Sequence, residues 1–530
     1  MINDLIKASY DEVLYRSNSY NMTCISNSYN MTCIDRLYEL AKMHGLSPRN
    51  PDNARVLEIG CASGGNIMGQ AINHPNSHFI GIDLSDEQVK IGKEAICSIG
   101  IKNIELITMD ICDLISIYKD KLSFDYIIVH GVYSWVPNEV RAAILESSRE
   151  LLDDDGVALI SYNTYPGWKI NEITRDFMRF SAVNSDKQDK LQAALNALKF
   201  EKAAYASTKI SPEQTYQILT RELKLDTINQ IEETKDKAYL YHEYLEIFNQ
   251  PFYLSDFVAD LEDFSLCYIA DMQFHFSYDE FVNQSVKEYA KLAYPDRISK
   301  DQMFDFLNST KFRSSLITKK QNEQKLVFDD DSILKNISDF HLVLTSQAPQ
   351  LADRAKGLSL EPFAKTLVES YPGSISVKDA LNLVAPSELI RHIYDIIAVT
   401  NSLIVSHKSI CDIYYKPGIS KLKEEYIAYI GYFINTNSEA LSCATPMNFI
   451  LGLNNIEMEI LLMFDGKNSL KDITKFLSSK FKKLKLVPTI EKDGITKTLK
   501  ESKEQEQYFK DAVEALAKYA RTNYLLENIL

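Results

Sequence analysis

Between Arg55 and Tyr162, short apolar runs alternate with helical segments, and that alternation leaves few folds open. Arg55-Val56-Leu57-Glu58-Ile59 reads as a buried strand, followed by a glycine loop and an apolar helix. His78 to Asp83, Ile104 to Ile107, Phe124 to Val129 and Gly156 to Tyr162 read as the second to fifth strands. Strands alternating with helices build a parallel, doubly wound α/β sheet, whose ligands sit at the carboxyl ends of the strands. Glycine usage points to the same stretch. Ten of the chain's 18 glycines fall between Gly60 and Gly167, and glycine gathers where backbone turns tightly or approaches a ligand.

Around this sheet the character changes. Residues 181–238 read as polar helices inserted into the domain, a possible dimerisation element. The stretch 252–264 reads as an amphipathic helix leading into Leu266 to Asp271, a sixth strand of the same sheet. The sheet domain is therefore expected over 46–180, continued by 239–280 and preceded by an arm over 1–45. Residues 281–443 are expected to form a helical middle domain, with a polar linker near Lys319–Gln324, and 444–530 a small winged-helix-like module. Ser17–Ile25 recurs residue for residue at Ser26–Ile34, a unit too short for a solenoid and read as a duplication in a surface loop.

Charge narrows the partners. With 73 acidic and 58 basic residues the chain carries a formal charge of -15, which excludes a general nucleic-acid binder and favours a cationic partner. The start, Met1 to Lys7, has acid where an export signal needs base. Leu389 to Val405 is broken by Arg391, His392 and Asp395, too interrupted for the roughly 20 apolar residues of a membrane span. No cysteine pair has the Cys-x-x-Cys spacing, which argues against structural zinc and a disulfide scaffold. A cytoplasmic protein with no metal is expected.

The loop Glu58-Ile59-Gly60-Cys61-Ala62-Ser63-Gly64-Gly65-Asn66 lacks both the Gly-x-Gly-x-x-Gly dinucleotide fingerprint and the phosphate-loop pattern. An acid at Glu58 suits a cationic ligand rather than a pyrophosphate. S-adenosylmethionine, with an ammonium and a sulfonium, meets that description. Asp83 ends the second strand, where a carboxylate can accept from ribose hydroxyls, and Asp110 ends the third, within reach of an adenine amino group. Together with Gly60, Cys61, Ala62, Gly64, Asn66, Leu84, Ile111 and His130 they form the expected cofactor-binding set.

The chain's two tryptophans, Trp135 and Trp168, fall just past the fourth and fifth strands, flanked by Tyr133, Tyr162 and Tyr165. An aromatic wall attracts a cation by about 0.5–2 kcal/mol per contact, which fits an arriving lysine ammonium. Asn163 is expected to bind the amine, and His242 with Glu243 to orient it or take its proton.

These segments carry a family resemblance. Gly60 to Asn66, His130 to Pro137, Ser161 to Trp168, His242-Glu243-Tyr244-Leu245 and Asn249-Gln250-Pro251 resemble the bacterial class I methyltransferases that carry a methyltransferase regulatory domain. That family includes rickettsial protein-lysine methyltransferases acting on outer membrane protein B. The resemblance implies a Rossmann-like S-adenosylmethionine-dependent enzyme that methylates lysines of a surface protein, works as a homodimer and needs no metal. The duplicated Ser17–Ile34 stretch departs from the single copy the family implies. A small-molecule methyltransferase and a non-catalytic scaffold with a relic cofactor site are the rival readings.

Overall fold

The computed structural model describes residue 13 and residues 31–183, 190–207, 215–273, 284–400, 402–436, 441–492 and 495–529. Most of the Ser17–Ile34 duplication lies outside them; only Met31 to Ile34 of its second copy is described. The chain divides into two compact units, residues 1–94 with 103–336, and residues 95–102 with 337–530.

The first unit begins with helix α1 (Ile34–Met43) and strand β1 (Arg55–Ile59), then α2 (Gly65–Asn73) and β2 (His78–Asp83). Helix α3 (Asp86–Ile99), β3 (Ile104–Thr108), β4 (Phe124–Val129), α4 (Asn138–Leu151) and β5 (Leu152–Asn163) complete the alternation. Next come α5 (Trp168–Ala182), α6 (Lys190–Ser207), α7 (Thr215–Glu233), α8 (Lys237–Leu245) and α9 (Leu254–Asp263). Strand β6 (Leu266–Asp271), helix α10 (Arg297–Asn308) and strand β7 (Phe312–Lys319) close the unit's sheet.

The sheet order is β3-β2-β1-β4-β5-β7-β6. Strands β1 to β5 pair in parallel, whereas β7 runs antiparallel to both β5 and β6. Every residue of β4 and β6 is buried, as strands covered on both faces require. Helix α4 turns Val140, Ile144, Leu145 and Leu151 inward at helical spacing. With Leu57, Ile127, Ile160, Phe257 and Ile317 they belong to the central core. Because β1 lies between β2 and β4, the loop after it opens at the reversal of strand order, where such sheets bind ligands.

The expectation of a helical stretch over 281–443 is corrected by β7, a full strand inside the sheet, so the sheet domain runs past 280. Lys320–Lys325 is a 3-10 helix rather than a linker. The insertion expected over 181–238 does supply α6 and α7, which form a small core with α5 and α8 through Met178, Leu198, Ile228, Ile231 and Leu240.

In the second unit, strands β8 (His341–Leu344), β9 (Ser374–Ser376) and β10 (Leu403–Ser406) form an antiparallel sheet in the order β10-β8-β9. That again departs from an all-helical middle domain. Strand β11 (Ser420–Leu422) pairs with Leu526–Asn528 near the other end of the unit, so no boundary falls at 443. Helix Leu470–Lys483 is followed by the antiparallel strand pair Thr489–Lys492 and Ile495–Thr498. Among the described residues no helix is long and apolar enough to cross a membrane.

Candidate active site

The loop after β1 is laced to the end of β2. Gly60 and Cys61 both donate their N–H to Ile82 O, at 2.9 and 3.0 Å. Ala62 N–H reaches Asp83 Oδ2 at 2.8 Å, while Asp83 Oδ1 accepts from Ser85 N–H at 2.9 Å. Gly60 has φ +75°, and a Cβ there would lie 2.4 Å from Val132 Cγ2. Its constraint is therefore backbone strain and the β4 loop, as well as room for a ligand. Gly64, at φ 73°, caps α2 and turns the chain into the helix.

Glu58 is buried, and Asn66 Nδ2 donates to its Oε1 at 2.6 Å. Its Oε2 has no hydrogen-bond partner among the described residues. Burial pushes this carboxyl up to about 8; the Asn66 bond opposes the shift and the Asp83 charge adds to it. Past β4, burial holds His130 down near 4, so it stays neutral, and its Nδ1 also lacks a partner. The Cys61 thiol is raised well above its ordinary value by burial, which removes it as a nucleophile. Leu84 and Ile111 are half-buried beyond β2 and β3. Asp110 caps the short turn after β3, accepting from Cys112 N–H at 2.9 Å through Oδ1. Two buried polar atoms with no hydrogen-bond partner among the described residues, past β1 and β4 at the strand reversal, fit a ligand carrying its own donors and acceptors. S-adenosylmethionine, with an ammonium, two ribose hydroxyls and an adenine, fits these donors and acceptors.

Past β4 and β5, three segments are knitted through Ser134. Its Oγ accepts from Asn163 N–H at 2.9 Å, and its carbonyl from Gln250 N–H at 2.8 Å. Asn163 O accepts in turn from Phe252 N–H at 3.0 Å. The two tryptophans do come together, edge to face at 6.3 Å. Trp168 Nε1 donates to Asn249 Oδ1 at 2.9 Å. An indole N–H only donates, so this bond fixes the Asn249 amide; among the described residues its buried Nδ2, like Asn163 Nδ2, has no hydrogen-bond partner. Arg175, almost fully buried, lies over the Trp135 ring at 5.8 Å and donates to the Glu246 carbonyl.

Several expected wall residues stand elsewhere. Tyr133 and Tyr162 are core residues: the Tyr133 ring packs 5.3 Å from Phe252 and 5.5 Å from Phe257, and Tyr162 lies 4.3 Å from Phe257. Helix α9 covers this face of the sheet and takes both rings inward. Tyr165 turns to a second cluster, 5.3 Å from Tyr253, with Lys169 over its ring at 5.1 Å and its hydroxyl on Glu172 at 2.7 Å.

His242 and Glu243 do not act as a pair. Asp236 caps α8 from Tyr239 N–H, and the helix places His242 against Glu246, four residues on, at 2.7 Å. Neighbours in sequence point about 100° apart on a helix. The other His242 nitrogen meets Val13 O at 2.6 Å, so both ring nitrogens are engaged in holding structure. Burial raises Glu243 to about 7, with Arg175 pulling it down.

Arg175, beside the tryptophan pair, is a residue the sequence reading did not name; Ser134 and Asn249 fell inside the segments of family resemblance but were given no individual role. Arg175 stands seven residues after Trp168, two turns along one face of α5, a spacing that was there to be read. Among the described residues no group of three His, Cys, Asp or Glu could hold a metal ion.

The glycine loop, the strand-end acids and an antiparallel strand set between β5 and the edge define a Rossmann-like class I methyltransferase domain, distinct from the 3-2-1-4-5-6 dinucleotide-binding order. Family models agree. "Methyltransferase domain" matches residues 50–234, and "Predicted methyltransferase regulatory domain" matches 236–319. The second match begins at α8 and ends with β7, so it covers the last two strands of the same sheet. An uncharacterized protein of Rickettsia prowazekii, RP028, is 37% identical over 259 residues, 49% of this chain and 95% of that one. Another from the same organism, RP789, is 32% identical over 327 residues, 62% of this chain; the match spans only 55% of its length. PKMT2 from Rickettsia typhi, in complex with AdoHcy, superposes with a TM-score of 0.76 at 26% identity, covering 94% of this chain and 98% of that one. The chain belongs to the rickettsial family of methyltransferases that carry a methyltransferase regulatory domain.

Proposed function

We propose that this chain transfers methyl groups from S-adenosylmethionine to lysine side-chain amines of a protein, a bacterial surface protein of the outer membrane protein B kind. The observation that carries the reading is the edge-to-face Trp135–Trp168 pair just past β4 and β5, an aromatic wall suited to a lysine side chain. The likeness to PKMT2, described with AdoHcy, supports it. Glu58, the Gly60–Gly64 loop, Asp83, Asp110 and His130 would hold the cofactor, which when bound supplies a methyl group on a sulfonium open to in-line displacement.

The chain's residues then have to position a neutral amine. A lysine amine, ordinarily protonated up to about 10.4, loses its proton more readily against apolar rings, because burial disfavours the charged form. Asn163, with its amide turned over so that Oδ1 replaces the unpartnered Nδ2, would accept one amine N–H, which leaves the amine lone pair free to attack. Glu243, raised to about 7, takes the proton. Arg175, packed on Trp135, keeps that carboxyl from rising further. The acidic surface would draw in a basic polypeptide. We further propose a cytoplasmic homodimer joined through α6 and α7, where Phe200, Leu219 and Leu223 are exposed.

Two outcomes follow. Trp168→Ala should lower turnover roughly 10-fold or more, about the loss of one or two ring contacts, while AdoHcy affinity stays within about 2-fold. A variant that loses cofactor affinity but keeps turnover at saturation would remove the Trp pair from the acceptor site. Glu243 must be ionised to take a proton, so turnover should fall as pH drops through about 7. In Glu243→Gln that acid limb should vanish from the pH profile at a lowered rate; an unchanged limb would assign it to another group.

A further inference from the structure

We propose that Thr32 is a positioning residue for the cofactor, acting through Asn66 on Glu58; the inference deepens the reading above and rests on it. Thr32 Oγ1 donates to Asn66 Oδ1 at 2.6 Å, and Asn66 Nδ2 donates to Glu58 Oε1 at 2.6 Å. The three residues are 0, 7 and 4% exposed, so water does not substitute for either bond. Together the bonds fix the polarity of the amide. Turned over, Asn66 would set Oδ1 against a carboxylate and Nδ2 against a hydroxyl, losing the donor that holds Glu58.

The relay ends on Glu58 Oε2, buried and without a partner among the described residues. A carboxylate with one oxygen tied back and the other presented inward is a receptor for a cation. The cation available is the ammonium of the cofactor's amino-acid end. Burial and the Asp83 charge at the end of β2 push Glu58 toward its neutral form, whereas the Asn66 donor and an arriving ammonium both favour the ionised one.

Helix α2 grips the Thr32 segment separately. Gln70, one turn beyond Asn66, accepts from Ile34 N–H at 3.0 Å and donates to Thr32 O at 3.4 Å. The backbone is thus held without the hydroxyl, so removing the hydroxyl breaks the relay and leaves the segment seated. Thr32 belongs to the second copy of the duplicated sequence, so it is that copy which would orient Glu58.

Calorimetric titration of the full chain with S-adenosylhomocysteine and with 5′-methylthioadenosine, which lacks the amino-acid end, tests this. Thr32→Val should weaken S-adenosylhomocysteine about 3- to 10-fold and leave methylthioadenosine unchanged, and Thr32→Ser should restore wild-type affinity. Unchanged S-adenosylhomocysteine affinity in Thr32→Val overturns the inference. So does an equal loss of both ligands, the mark of a merely structural role. A wild-type chain that binds neither ligand overturns the proposed function itself, and the inference with it.

Discussion

Replacing Arg313 by Met is expected to destabilise the first unit by about 3–5 kcal/mol, the cost of stranding buried charge. Arg313 lies on β7 with no exposed surface. Its Nε and Nη2 each bind Asp305 at 2.9 Å, and its Nη1 stands 3.5 Å from Asp271. Both carboxylates are almost fully buried, on α10 and at the end of β6. Methionine fills the volume and leaves them unpaired. The sign of the pH dependence follows. Burial already pushes Asp271 up to about 6 with the guanidinium in place, and removing that cation raises it further. A carboxyl raised in the folded state is neutral at low pH and costs stability as pH rises from its unfolded value toward its folded one. Urea unfolding of Arg313→Met should therefore show a smaller deficit at pH about 5 than at about 8. A deficit below about 1 kcal/mol at both pH values would show that β7 does not close the sheet through this cluster.

Asp83→Ala is expected to weaken S-adenosylhomocysteine at least about 100-fold, since hydrogen bonds to a charged group contribute about 1.5–3 kcal/mol each and several are lost together. Asp83 ends β2, where the proposed ribose contact falls, and it also holds Ala62 N–H of the glycine loop and Ser85 N–H. Its removal takes away the proposed ribose contact and the hydrogen bond that holds the glycine loop. Calorimetry on a variant shown to be folded by its melting transition checks this. Affinity within about 3-fold of wild type would take Asp83 out of the site.

The first five strands and their ligand-binding end were legible because each strand is a short apolar run closed by a loop residue with a clear reason to be there. Strand β7 was not. Phe312-Arg313-Ser314-Ser315-Leu316-Ile317 reads as polar until Arg313 is matched with Asp305 and Asp271, and only the fold supplies that match. Strands β8 to β10 are three or four residues long, below what alternation can signal. In the site, the tryptophan pair was visible from its rarity and its place past two adjacent strands. The tyrosines beside it were not separable from core, because Tyr133 and Tyr162 differ from wall residues only in which way α9 draws them. The His242–Glu246 partnership could have been read from its four-residue spacing, whereas adjacency suggested Glu243. The link from Thr32 to Glu58 crosses 26 residues and two elements and is visible only in three dimensions.

Mass spectrometry of protein substrates tests the proposed lysine methylation directly. The chain is incubated with S-adenosylmethionine carrying an isotopically labelled methyl group and with lysine-rich surface-protein fragments, then the fragments are mapped by peptide. Labelled methyl is expected on lysine side chains, lost in Asp83→Ala and strongly reduced in Trp168→Ala. Label appearing only on a small metabolite, with every lysine unmodified while the chain binds the cofactor, would contradict it.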